Sequence, residues 1–160
     1  MAARLNYWHS GSGPFAMRSF SDPSEPERLF ATGVRIRDVD LLIPDANGVM
    51  RGKRLQRAAL AKVYREGLAL PGSIFAADIA GNTIQETGLG FDEGDADRHC
   101  WPVPGSLTPV PWEEGRAQAF LTMHEADGRP FFADPRQVLR RVLQRYTHGM
   151  PNFGFFSPMI

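Results

Sequence analysis

Val39-Asp40-Leu41-Leu42-Ile43-Pro44-Asp45-Ala46-Asn47-Gly48-Val49-Met50-Arg51-Gly52-Lys53-Arg54-Leu55 reads as two extended arms joined by a tight reversal. Val39, Leu41 and Ile43 alternate with Asp40 and Leu42, so one face of the first arm carries a continuous apolar row. Pro44 has no N–H to give to a strand ladder and ends the pairing. Asn47-Gly48 is a strong hairpin signal, because both residues accept positive φ. In the second arm Val49, Arg51, Lys53 and Leu55 share one face, with Met50, Gly52 and Arg54 opposite. An isolated hairpin is marginal in water, so another element must cover its apolar row.

That cover is predicted immediately downstream. Over Arg57 to Glu66, Leu60, Val63 and Tyr64 keep i, i+3, i+4 spacing, and Gly67 sits where a helix C-cap belongs. Leu70-Pro71-Gly72 turns the chain, and Ser73 to Ala77 reads as a short buried strand. Asp78 to Asp97 has no period and reads as a long loop. Arg98 to Trp101 and Arg116 to His124 are strands, the second with Ala117, Ala119, Leu121 and Met123 on one face. At Asp134-Pro135-Arg136-Gln137 a helix starts, with Asp134 as N-cap and Gln137 closing a capping box. Its predicted buried stripe is Val138, Leu139, Val142, Leu143 and Tyr146. Upstream, Val34 and Ile36 fall out of phase with the row from Val39, which places a bulge or a strand start near Arg37-Asp38. Met1 to Gly33 reads as a flexible leader, with Ser24 able to cap a short helix through Phe30. The order of elements fits an α+β fold: a mixed twisted sheet with one packed helix, as in a β-grasp, plus a C-terminal helix.

The bulk composition narrows the function classes. The 160 residues carry 18 Lys+Arg and 18 Asp+Glu, without the basic excess of a dedicated nucleic-acid binder. Thirteen prolines and sixteen glycines are too many for a helical bundle. A single cysteine, Cys100, excludes an internal disulfide and fits a reducing compartment. No run approaches the roughly 20 apolar residues of a membrane span, and a cytoplasmic location is expected.

Four groups of residues carry potential chemistry. Asp78 stands where a small apolar run opens into a loop, and it reads either as an anion presented to a cationic ligand or as a turn-capping aspartate. Asp92, Glu93, Asp95, Asp97, His99 and Cys100 form an acidic cluster. It fits neither the ligand spacing of a calcium loop nor the paired Cys/His of a zinc site, so no metal site is assigned. Arg51, Lys53, Arg54 and Arg57 form a basic stretch that reads either as a grip for phosphate or a neighbour's acids, or as the charged rim of an edge strand. Met150, Phe153, Phe155 and Phe156 read as a docking peptide or an irregular tail. No Gly-rich phosphate loop, Ser-His-Asp order or nucleophilic cysteine motif is present in the sequence.

Several ordered blocks together resemble the glutamine synthetase family, in particular its γ-glutamylpolyamine synthetase branch. They are Asp40 to Gly48 with Arg51-Gly52-Lys53-Arg54, Lys62 to Gly67, Leu70-Pro71-Gly72-Ser73, Gly94-Asp95-Ala96-Asp97, Pro104-Gly105-Ser106-Leu107, Val110-Pro111-Trp112, and Asp134-Pro135-Arg136 with its helix. The resemblance runs from about Val34 to Tyr146. It implies an N-terminal β-grasp domain over 34–133, with 134–160 as the start of a truncated catalytic domain, its helix at about 135–146 followed by an irregular tail.

By resemblance, a full-length relative uses ATP and Mg²⁺ or Mn²⁺ to phosphorylate the side-chain carboxylate of glutamate, which ammonia or an amine then attacks. Its sites lie between like subunits of a ring, and an aspartate of the β-grasp domain serves the neighbour's amine site. By position that residue resembles Asp78. Ammonia-using members often carry Phe-Asp-Gly-Ser-Ser where this chain has Ala77-Asp78-Ile79-Ala80-Gly81, and the departure points toward a larger amine. Val103 also departs, standing where the family often has an aspartate. The chain itself is expected to hold no cofactor and to be inactive alone. The rival expectation is a free-standing, non-catalytic β-grasp interaction module.

Overall fold

The computed structural model describes residues 20–89 and 95–149. Its elements are α1 (Glu25–Ala31), β1 (Asp38–Pro44), β2 (Met50–Gln56), α2 (Arg57–Glu66), β3 (Leu68–Pro71), β4 (Asp97–Pro102), β5 (Thr108–Pro109), β6 (Arg116–His124) and α3 (Pro135–Gly149). The fold is α+β and β-grasp-like. The sheet order is β2-β1-β6-β4-β3, with β5 on the side of β6. It is mixed: β1 runs parallel to β6, and the other pairings are antiparallel.

The hairpin forms as the alternation requires. Val39, Leu41 and Ile43 face Leu55, Lys53 and Arg51 across the ladder and are wholly buried. Burying each such side chain contributes about 1.5–3 kcal/mol. The reversal differs from the expectation in one respect. Only Gly48 takes positive φ, at 79°, and Asn47 does not. The Asp45 carboxylate explains this, because it accepts the amides of Asn47 and Val49 at 2.8 and 2.9 Å. The turn is thereby stabilised by a side chain instead of by two left-handed residues.

Helix α2 lays Leu60, Val63 and Tyr64 on the sheet, and Gly67 caps it at φ 78°. On β6, Ala117, Ala119, Leu121 and Met123 complete the core, with Cys100, Leu70, Phe75 and Phe131 around them. Burial pushes the Cys100 thiol up to about 12. Lys53 on β2 donates to the Ala69 carbonyl on β3 at 3.2 Å, although these strands stand at opposite ends of the order. The sheet is therefore strongly curved and nearly closed.

Three expectations need correction. The strand predicted at Ser73 to Ala77 is instead β3, which starts five residues earlier at Leu68 and is followed by a 3-10 turn at Gly72–Phe75. The pairing with β4, from Leu68↔Cys100 to Pro71↔Asp97, decides this, and Phe75 and Ala76 are buried by the turn. The stripe predicted to be buried on α3 is largely open to solvent: Val138, Leu139, Val142 and Tyr146 are exposed, and Leu143 is half-buried. Its spacing identified the apolar face but not whether anything covers it. Finally, the last part of the predicted leader is built into the fold. Helix α1 forms, and its buried Glu25 accepts the amides of Gly105 and Leu107 at 3.2 and 2.9 Å. The Ser24 hydroxyl makes no cap and turns to Asp22 instead.

Candidate functional site

The site builds from the tip of the β1–β2 hairpin. Asp45 is almost fully buried there and pairs with Arg51 at 2.9 Å. Burial disfavours its charge, yet the Val49 amide, Arg51 and the Asn47 amide together hold its carboxyl below the usual range. The Arg51 guanidinium then reaches past Asp45 to the carbonyl of Asp78, at 2.5 Å. Asn47 Nδ2 donates to the Ala77 carbonyl at 3.2 Å. The hairpin tip thus forms a seat for the 77–82 loop.

Asp78 is at the surface, partly exposed. Its Oδ1 accepts the amides of Ala80 and Asn82, both at 2.8 Å, and its Oδ2 accepts Asn82 Nδ2 at 3.0 Å. The Asn82 side chain and backbone amide, followed by the neighbouring amides, hold its carboxyl below the usual range. Asp78 therefore caps its own turn, one of the two readings its sequence context left open. It also remains an anion at neutral pH, with one of its roughly four lone-pair sites unused on an accessible surface. Ile79 beside it is strongly exposed.

The other predicted groups are arranged differently. The four cations of the basic stretch have partners within the fold: Arg51 holds Asp45, Lys53 the Ala69 carbonyl and Arg54 Asp40, while Arg57 lies over the Phe30 ring. In the acidic cluster, Asp92 and Glu93 lie outside the described residues. Asp95 accepts the Ser73 amide and hydroxyl at 3.2 and 2.7 Å, a loop clasp, and Cys100 is in the core. Among the described residues no group of three His, Cys, Asp or Glu side chains could hold a metal. Met150, Phe153, Phe155 and Phe156 lie outside the described residues. A shallow depression lined by Arg37, Asp38, Gln56, Arg57 and Ala58 sits at the other end of the hairpin from its tip.

Sequence reasoning missed Arg51 and Asn47 as partners of the Asp78 loop. The one local signal was Asp45 and Arg51 flanking the turn at a spacing that permits an ion pair. The reach to Asp78, 27 positions on, had no local trace.

A nearly closed mixed sheet with one packed helix and an anion-bearing loop seated on its hairpin defines a β-grasp-like domain. Comparison with known proteins gives it a family: the chain belongs to the glutamine synthetase family. It is 47% identical over 108 residues to a γ-glutamylputrescine synthetase of Escherichia coli, covering 67% of this chain and 23% of that protein. It is 36% identical over 128 residues to a γ-glutamylethanolamide synthetase of Streptomyces coelicolor, covering 78% of this chain and 28% of that one. A glutamine synthetase of Pyrococcus horikoshii is 34% identical over 115 residues, 71% of this chain and 22% of its own length. Among solved structures, a GmaS–ADP complex superposes with a TM-score of 0.59 at 26% identity, over 76% of this chain and 25% of that chain. No family model matches. The chain therefore spans about a quarter of the length of the relatives it matches. No helix among the described residues is long and apolar enough to cross a membrane.

Proposed function

We propose that this chain is the N-terminal domain of an ATP-dependent ligase that joins an amine or ammonia to the side-chain carboxylate of glutamate. The observation that carries the reading is the 47% identity to the γ-glutamylputrescine synthetase. In this reading ATP, Mg²⁺ or Mn²⁺ and glutamate are held by the remaining three quarters of such a ligase, and the isolated domain is inactive. Like subunits assemble in a ring, and the Asp78 loop of one faces the amine site of the next.

The chemistry asked of Asp78 is electrostatic. An amine is protonated at neutral pH, so a fixed anion at its site concentrates the ammonium form. The carboxyl is a weak base because Asn82 and its neighbours hold it below the usual range. Orienting and anchoring the cation is therefore its main role, and taking the proton is secondary. The hydrogen bonds at 2.8–3.0 Å that fix the carboxylate in advance support this reading, since a preorganised charge needs no reordering when ligand arrives. The replacement of Phe-Asp-Gly-Ser-Ser by Ala77 to Gly81, together with exposed Ile79, supports an amine with a carbon chain over ammonia.

Two assays test the proposal. The pure 160-residue chain should show no ATP-dependent γ-glutamyl transfer. A graft in which this chain replaces the matched segment of the E. coli relative should form γ-glutamylputrescine. Turnover by the isolated chain, or a folded but inactive graft, would refute it. One observation favours a second reading, a free-standing interaction module. It is the exposed apolar face of α3, at Val138, Leu139, Val142 and Tyr146. Native capture of an unrelated partner by that face, with an inactive graft, would favour the module.

A further inference from the structure

The 77–82 loop has two sets of hydrogen bonds with different consequences. Bonds inside the loop set its shape: Asp78 N–H to the Asn82 carbonyl at 2.9 Å, Gly81 N–H to the Asp78 carbonyl at 3.0 Å, and the three donors to the Asp78 carboxylate. None of these fixes where the loop sits on the sheet. That is done partly by buried Ala76 at its entrance, the stem itself being closed by the Ala77↔Thr83 bridge and the Ile84 amide on the Ala76 carbonyl. It is also done by two donors from the hairpin tip, Arg51 Nη2 and Asn47 Nδ2. The guanidinium lies under the loop, since a Cβ built on Gly81 would stand 3.6 Å from Arg51 Nη1.

We propose that Arg51, supported by Asn47, is a positioning residue for Asp78: it sets the height and angle at which the carboxylate faces a neighbouring subunit's amine. The proposal rests on the reading of Asp78 given above. The arginine fork is the requirement. Its Nε and Nη2 both bind Asp45, at 3.0 and 2.9 Å, which orients the planar group and aims Nη2 at the loop carbonyl. A lysine ammonium can satisfy Asp45 as a point charge but cannot hold both partners in a fixed fork. Arg51→Lys therefore separates fold support from loop support.

The first measurement uses the full chain and ¹⁵N relaxation. Residues 78–82 should have order parameters near those of the strands, about 0.85, in the wild type and fall below about 0.6 in Arg51→Lys and in Asn47→Ala. Amides of β1 and β6 should stay rigid in both. Loop order unchanged in both Arg51→Lys and Asn47→Ala overturns the proposal. The second measurement uses the graft, where Arg51→Lys should raise the KM for the amine roughly tenfold while kcat and the KM for glutamate stay within about twofold. A role in folding alone would lower active yield and leave the amine KM unchanged, and that result also overturns the proposal. The Asp78 reading fails separately, if Asp78→Asn leaves the amine KM unchanged; the relaxation experiment still decides whether Arg51 anchors the loop.

Discussion

Substituting Gly52 by alanine should break the hairpin on which the fold is built. Gly52 sits in β2 opposite Leu42 with φ 144°, in a region that L side chains rarely adopt. A Cβ there would stand 1.8 Å from the Leu41 carbonyl oxygen and 2.9 Å from its carbon. Both atoms are backbone, so no rotamer change relieves the overlap. Holding the dihedral with a side chain present costs about 1–3 kcal/mol. Moving the strands apart instead sacrifices ladder hydrogen bonds at about 1 kcal/mol each and partly exposes Leu41, worth up to about 3 kcal/mol. The sum is about 4 kcal/mol or more, against a typical total stability of 5–15 kcal/mol. Gly48→Ala is the control. Its φ is 79° but nothing lies within 4 Å of the added carbon, so only the conformational cost of about 1–2 kcal/mol applies. Urea unfolding followed by tryptophan fluorescence measures both. Equal losses in the two variants, or a loss below 1 kcal/mol for Gly52→Ala, would refute the steric argument.

Two further outcomes follow from buried polar groups. His124 is buried, stacked on Phe20 at 4.2 Å between ring centres, and burial lowers its pKa to about 4 from 6.5. The neutral form is favoured by folding, so this contribution is complete above pH 6.5 and is lost as pH falls toward 4. It amounts to about 3 kcal/mol, and a pH series of urea midpoints should lose its slope in that window in His124→Phe. Asp134, also buried, caps α3 through the Arg136 amide at 2.9 Å and holds β6 through the Met123 amide at 2.8 Å and Thr122. Asp134→Ala should cost about 3 kcal/mol by the same unfolding measurement. Asp134→Asn should cost only part of this, because its single amide oxygen can keep the Arg136 amide or the Met123 amide but not both.

What could be read from the sequence was local. The alternation at Val39, Leu41 and Ile43, the spacing of Leu60, Val63 and Tyr64, and the full extent of β6 required only a period of two or 3.6. The parallel pairing of β1 with β6 joins residues 78 positions apart, as in Val39↔Ala117, and leaves no periodic trace. The strand at Leu68–Pro71 was hidden because four residues are too few for a pattern and a proline ends it. At α3, Asp134 was recognised as the N-cap, but Gln137 does not close a capping box; its side chain donates to the Thr122 hydroxyl. That choice depends on β6 lying beneath the helix. The candidate site was half legible: Asp78 stood out as a carboxylate at a loop entrance, whereas its seat on Arg51 and Asn47 exists only once the hairpin has folded.

The role of the Asp78 carboxylate is tested most directly by amine saturation kinetics of the graft carrying Asp78→Asn. Asparagine preserves the oxygen that accepts the Ala80 and Asn82 amides and shapes the turn, while it removes the charge and the acceptor for the Asn82 side chain. The KM for the amine should rise roughly tenfold or more, the worth of one charge-assisted contact, with the KM for ATP and glutamate unchanged. An amine KM equal to that of the unsubstituted graft would contradict the account.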